Sequence, residues 1–205
     1  MSRLLVGVLG LQGDVEEHLS SSEGALSALE LDGEPILVKS AEDARRISVL
    51  VIPGGESTAM GELSSIKGIL PTLRVRISQG MPTLGTCAGM VMLAKGAEDR
   101  AVGRMNQPLL GSLDINVERN SFGRQAESFE ASVDLGIPGG ENFPGVFIRA
   151  PSVKSMEGGV MELGRLGDTI VAVRQGNVVG TSFHPELSGS TLLHEFVIGL
   201  AAGSK

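Results

Sequence analysis

The sequence predicts a single α/β domain over residues 1–205, with three layers: a mostly parallel central sheet and helices on both faces. Three observations carry that prediction. The first half alternates short apolar runs with helical stripes in a β-α-β-α order, the pattern of parallel strands wrapped by crossover helices. The runs are apolar throughout rather than alternating, as in strands covered on both faces. The chain of 205 residues is long enough for one sizeable core and too short for two comfortable ones.

Residues Leu4–Leu9 form the first such run, closed by Gly10. Residues 14–30 follow as a helix, with Val15, Leu19, Ala25, Leu26 and Leu29 giving an apolar stripe. Pro35–Val38 is the second strand, 41–46 a short helix, and Val49–Ile52 a third strand ending at Pro53. Residues 56–79 read as helix interrupted at Gly68 and Pro71. Pro82–Gly85 is a strand running into Cys87, and Ala88–Ala94 a helix. Beyond residue 109 the texture becomes strand-like, in Leu113–Val117, Phe129–Val133, Gly145–Ile148, Val160–Leu163, Thr169–Val173 and Val178–Phe183. A final helix covers 190–201.

Composition excludes several functions. A net charge of −7, with scattered basic residues, leaves no basic face to neutralise phosphates. Aromatic residues make up only 3%, with no Trp or Tyr, so base-stacking platforms are missing too. No apolar stretch approaches the roughly 20 residues that cross a bilayer, so a cytoplasmic protein is expected. Cys87 is the one cysteine, which rules out an internal disulfide and any multi-cysteine metal site.

The chemistry is expected at Cys87. Gly85-Thr86-Cys87-Ala88-Gly89 lies where a strand meets a helix, and small neighbours permit the sharp turn that lifts a nucleophile above a sheet. A helix N-terminus there favours the thiolate. A buried cysteine in a glycine-flanked turn has the same spacing. Three histidines could serve it. His18 and His194 fall in the first and last helices, on surfaces or packed. His184 follows an apolar strand and precedes Pro185, at a strand end where open parallel sheets place their sites. Glu186 is within reach of its imidazole. The third element is Pro53-Gly54-Gly55-Glu56-Ser57-Thr58, whose glycines admit close approach to a ligand and whose N–H groups suit an oxyanion. It also reads as a capped helix start. It carries no phosphate-loop signature.

With these residues in view, the chain resembles the class I, triad-type glutamine amidotransferases. Within them it is similar to the glutaminase subunits of pyridoxal 5′-phosphate synthases. The matching segments are GVLGLQGDVEEH at 7–18, PGGEST at 53–58, GTCAGM at 85–90, VERNSFGRQ at 117–125, FIRAP at 147–151 and TSFHPEL at 181–187. The resemblance implies a flavodoxin-like sheet, with Cys87 as nucleophile, His184 as acid/base and Glu186 as its orienting partner. It implies L-glutamine contacts at Gly55, Glu56, Ser57, Arg119, Ile148 and Arg149, and neither metal nor cofactor. It further implies a (β/α)₈ synthase partner, in a large hetero-oligomer, that receives the ammonia. Two segments depart from the family pattern, Ile47-Ser48 and the stretch after Leu187, and both lie outside the triad. A glutaminase serving another synthase, or a cysteine hydrolase of related fold, are the alternatives. Glycines in both the 10–13 and 53–55 loops also suggest an oxyanion hole that partner docking completes.

Overall fold

The computed structural model describes residues 3–99, 103–122 and 128–203. Residues 123–125 of the VERNSFGRQ segment lie outside that set. The described residues form β1 (Leu4–Leu9), α1 (Val15–Ala28), β2 (Gly33–Val38), α2 (Ala41–Arg46), β3 (Val49–Ile52), α3 (Ser57–Ile66), α4 (Ile69–Ser78), β4 (Thr83–Thr86) and α5 (Ala88–Leu93). There follow β5 (Ala94–Asp99), β6 (Gly103–Arg104), β7 (Leu113–Arg119), β8 (Phe129–Val133), β9 (Phe143–Phe147) and β10 (Ser152–Met156). The chain continues through β11 (Met161–Leu166), β12 (Thr169–Gln175), β13 (Val178–Thr181), one 3₁₀ turn (Pro185–Leu187) and α6 (Leu192–Ala202).

The seven-stranded central sheet runs β11-β12-β13-β4-β3-β1-β2. Its five strands from β13 to β2 are parallel, and β12 and β11 add an antiparallel edge. The expected mostly parallel sheet is therefore present, and its parallel part has the 2-1-3-4 order of flavodoxin-like folds, with β13 as the fifth strand. Strand β3 shows why its sequence lacks alternation. Val49 and Val51 join a core with α1 and α6 residues such as Leu26, Leu193 and Val197. Leu50 and Ile52 join the opposite core with Met60, Leu73 and Met90 from α3, α4 and α5. Both faces of the period-two strand are covered, so both sets must be apolar.

Local chemistry starts and stops the helices, and at α3 the cap is Glu56 itself rather than Ser57 or Thr58. Ser40 and Asp43 form a reciprocal capping box on α2. Glu56 caps α3, its carboxylate accepting from the N–H groups of Thr58 and Ala59. Gly68, at φ +67, separates α3 from α4. Pro71 causes no second break, because it sits in the first turn of α4, where its missing N–H has no intrahelical partner to lose.

The second half differs from the sequence reading in three strands. β5, β6 and β10 were not expected, and with β7 they build a four-stranded sheet ordered β10-β7-β5-β6. The strand expected through Phe183 ends at Thr181. β8 and β9 pair with each other, and Phe129 stacks on Phe147 with centroids 4.8 Å apart. Phe147 and Phe143 also meet Phe183, so this aromatic cluster fixes the two segments that approach Cys87 from above.

Candidate active site

Four parallel strands deliver the site from their carboxyl ends. The loop after β1 brings Gln12 to Asp14, that after β3 Gly54 to Ser57, that after β4 Cys87, and that after β13 His184. They surround a cleft of about 370 Å³, at the lower end of the range for small-molecule sites.

Cys87 lies at the β4–α5 junction with φ +49, a left-handed conformation that is strained for a side chain with a Cβ. The elbow holds because its neighbours are glycines. A Cβ on Gly85 would come within 2.7 Å of the Gly89 backbone, and one on Gly89 within 2.1 Å of the Ile52 carbonyl oxygen. The Cys87 N–H donates to the Thr181 carbonyl at 2.7 Å, tying the elbow to β13. Its sulfur stands 3.7 Å from the Ile148 carbonyl oxygen.

His184 is buried, and its backbone N–H donates to the Val146 carbonyl at 2.8 Å. Its imidazole is hydrogen-bonded to Glu186 and feels the charge of Cys87, which lines the same cleft. Nδ1 lies 2.7 Å from Glu186 Oε1 and 3.3 Å from Asp14 Oδ2. Burial alone would lower the histidine pKa. Its interactions with Cys87 and Glu186 outweigh it and raise the value to about 10. Burial would likewise raise the Glu186 pKa, but the close approach of His18 and the hydrogen bond with His184 bring it down to about 2. The sequence-predicted Cys-His-Glu trio is thus assembled, with charge favouring imidazolium beside sulfur.

The other predicted residues also line the cleft: Gly55, Glu56, Ser57, Arg119, Ile148 and Arg149. Arg119 Nη2 pairs with Glu56 Oε1 at 3.0 Å, and Nη1 donates to Thr58 Oγ1 at 3.3 Å. Arg149 has φ +44, a second left-handed residue at the cleft. The Ser57 hydroxyl donates to Gln107 Oε1 at 3.4 Å. The Glu56 N–H donates to the side-chain oxygen of Gln12 at 2.5 Å.

Sequence reasoning missed several participants. Asp14 flanks His184, Gln107 braces Ser57 and Thr58, and Gln12 occupies the Glu56 amide. His18 and His194, expected on surfaces or packed, are both buried and meet each other, with His18 Nδ1 2.9 Å from His194 Nε2. The signal for His18 lay in its place in the first turns of α1, four residues after the N-cap Asp14. Asp14, His184 and Glu186 put donor atoms within 4.8 Å of one another, a composition that could ligate a cation. The short His184–Glu186 hydrogen bond accounts for that spacing without one.

Comparison with known proteins gives a consistent result. The model of the SNO glutamine amidotransferase family matches residues 8–201. A pyridoxal 5′-phosphate synthase subunit PdxT from Nitrosopumilus maritimus is 46% identical over 200 residues, covering 98% of each chain. The protein of the same name from Sulfurisphaera tokodaii is 46% identical over 196 residues, covering 96% of this chain and 98% of that one. A crystal structure of a glutamine amidotransferase, 44% identical, superposes with a TM-score of 0.82 over 96% of this chain and 98% of the other. A glutamine amidotransferase from Thermotoga maritima shares the fold at 15% identity, with a TM-score of 0.61 over 98% of this chain and 84% of that one.

Proposed function

The chain belongs to the SNO glutamine amidotransferase family, and from that membership we infer that it is the glutaminase subunit of a pyridoxal 5′-phosphate synthase. It hydrolyses L-glutamine to L-glutamate and ammonia and supplies the ammonia to a synthase subunit. The observation that carries the reading is the cleft that Cys87 and His184 line together, with Glu186 hydrogen-bonded to the His184 imidazole from behind at 2.7 Å.

The mechanism follows from those contacts. Cys87 thiolate attacks the side-chain amide carbon of glutamine, and the carbonyl electrons move onto oxygen. The N–H of Ala88 receives that oxyanion, joined by one from the Gly54–Glu56 loop once the partner docks. His184 gives its proton to the departing nitrogen, and ammonia leaves a γ-glutamyl thioester. His184 then takes a proton from water, which attacks the thioester and releases glutamate and the thiolate. Glu186 orients the imidazole and balances its charge. Arg119 and Arg149 are positioned for the substrate carboxylate, and Glu56 for its ammonium group.

Residues 1–205 act as one glutaminase domain. Among the described residues no helix is long and apolar enough to cross a membrane. We place the chain in the cytoplasm, where a lone functional thiol stays reduced. Its partner is taken to be a (β/α)₈ synthase in a large hetero-oligomer. Docking of that partner completes the oxyanion hole. In support, the Glu56 N–H is held by Gln12, and the Gly54 oxygen packs against Gly13 so tightly that a Cβ there would lie 1.7 Å away.

One titration tests the whole reading: glutamate release by the pure chain, followed as the synthase subunit of a pyridoxal 5′-phosphate synthase is added. The expected rise is about a hundred- to a thousandfold, the value of one oxyanion donor. Glutamate release that stays absent at saturating partner would overturn the glutaminase assignment. A constant, partner-independent turnover would remove the docking switch.

A further inference from the structure

Behind the trio lies a second polar chain that the reaction does not use. Glu186 is buried, and only its Oε1 is taken by His184. Its Oε2 has no well-aligned hydrogen bond; the close polar group is His18 Nε2 at 3.3 Å, which also lies 3.1 Å from Thr86 Oγ1. His18 Nδ1 in turn meets His194 Nε2 at 2.9 Å, and His194 Nδ1 has no partner among the described residues. His18 comes from α1, Thr86 from β4 and His194 from α6, so three elements meet at the His18 ring behind one carboxylate.

The proton positions follow from the partners. A ring nitrogen facing a carboxylate must carry hydrogen, or two lone pairs would oppose each other, so His18 has Nε2–H. An orphaned buried N–H is rarer than an orphaned acceptor. His194 therefore leaves Nδ1 bare and donates through Nε2–H to His18 Nδ1. All the donors then point one way, from His194 to His18 to Glu186.

Resting on the glutaminase reading of the trio, we propose that His18 is a positioning residue. It holds Glu186 Oε2 so that Oε1 remains on the imidazole of His184, and His194 fixes the His18 ring behind it. Such a hold is needed because a second carboxylate competes for the same nitrogen. Asp14 Oδ2 stands 3.3 Å from the same His184 Nδ1, and its side chain is 42% exposed against 0% for Glu186. A solvated carboxylate screens and moves; a buried one pinned from behind keeps a fixed charge and direction. Pinning Glu186 keeps the buried partner in place and Asp14 in second position.

The test reads Cys87 rather than glutamine turnover, so that its failure is separable from failure of the glutaminase reading. The rate at which iodoacetamide alkylates Cys87 in the full chain at pH 7 is measured for wild type, His18→Leu and His18→Gln. The Gln side chain can return an N–H to Glu186. His18→Leu should react about ten- to a hundredfold more slowly, the range for a hydrogen bond to a charged group, and His18→Gln within about threefold of wild type. A folded His18→Leu that reacts at the wild-type rate, or equal losses in both variants, overturns the proposal. Nitrogen-15 spectra of histidine-labelled wild type give a second reading that needs no variant. His18 should carry its proton on Nε2, and a bare Nε2 overturns the proposal by itself.

Discussion

Arg119 and Glu56 are joined across the cleft by a 3.0 Å ion pair. The guanidinium proposed above for the substrate carboxylate therefore already holds a carboxylate. Glutamine must share or displace it, and a planar fork can serve two carboxylates where an ammonium serves one geometry. Arg119→Lys should raise the KM for glutamine about tenfold while changing kcat less than threefold. Steady-state kinetics of the complete complex would decide, and an unchanged KM would take Arg119 out of the substrate site.

The trio should lose function in graded steps. Cys87→Ala should abolish glutamate release with the melting temperature close to that of wild type, since no buried volume beyond one sulfur is lost. His184→Ala should cost about a thousandfold or more, because it removes the proton carrier itself. Glu186→Gln should cost about ten- to a hundredfold, since it removes only an oriented charge. Full activity in either of the last two would mean that the His-Pro-Glu turn only ends a strand.

Gly89 tests the elbow. Alanine ordinarily favours a helix over glycine by about 1 kcal/mol. Here its methyl would stand 2.1 Å from the Ile52 carbonyl oxygen, a backbone atom that cannot turn aside. Overpacking of that kind costs about 1–3 kcal/mol, so Gly89→Ala should destabilise on balance. Gly24→Ala is the control: it meets only the Thr191 methyl, at 3.0 Å, and should be near neutral. Urea denaturation of the two variants measures the difference.

Stability should fall in acid in two stages. His194 is fully buried, and burial, with His18 beside it, lowers its pKa from 6.5 to about 3, against the opposing effect of Glu186. The unfolded chain therefore takes up a proton that the folded one refuses, and this contribution is lost as pH falls from about 6.5 towards 3. Glu186 adds a second loss between about 4.5 and 2, its pKa being lowered in the folded state. The melting temperature should therefore decline below pH 6.5. His194→Gln, which keeps a donor towards His18, should flatten the decline between pH 6.5 and 4.5. An identical slope in that variant would show that other groups dominate.

The parts legible in the sequence are those where one residue's chemistry is local. Leu4–Leu9 and Val49–Ile52 could be placed because a doubly covered strand must be apolar on both faces. Cys87 and His184 could be placed because glycine and proline mark sharp turns at strand ends. β5 escaped because its Lys95, Glu98 and Asp99 lie on a half-exposed sheet and carry no apolar rhythm. β10 escaped because Val153 is its one buried side chain. His18 and His194 could not be linked, since their contact is made only by α1 packing beside α6. Arg119 and Arg149 emerged from resemblance rather than from chemistry, being two of 17 basic residues.

The parallel pairing of Thr86 with Thr181 sets the order in which reactivity can arise during synthesis. A chain emerging from its N-terminus completes β1, β3 and β4, and exposes Cys87, while the segment carrying His184 is still unmade. Strand β13 must insert between β4 and β12 before the Cys87 N–H finds the Thr181 carbonyl and before any base reaches the sulfur. Until then the cysteine has no base beside it and no closed cleft to hold an amide. Incomplete chains therefore cannot waste glutamine, and acquisition of thiol reactivity times the closing of the central sheet.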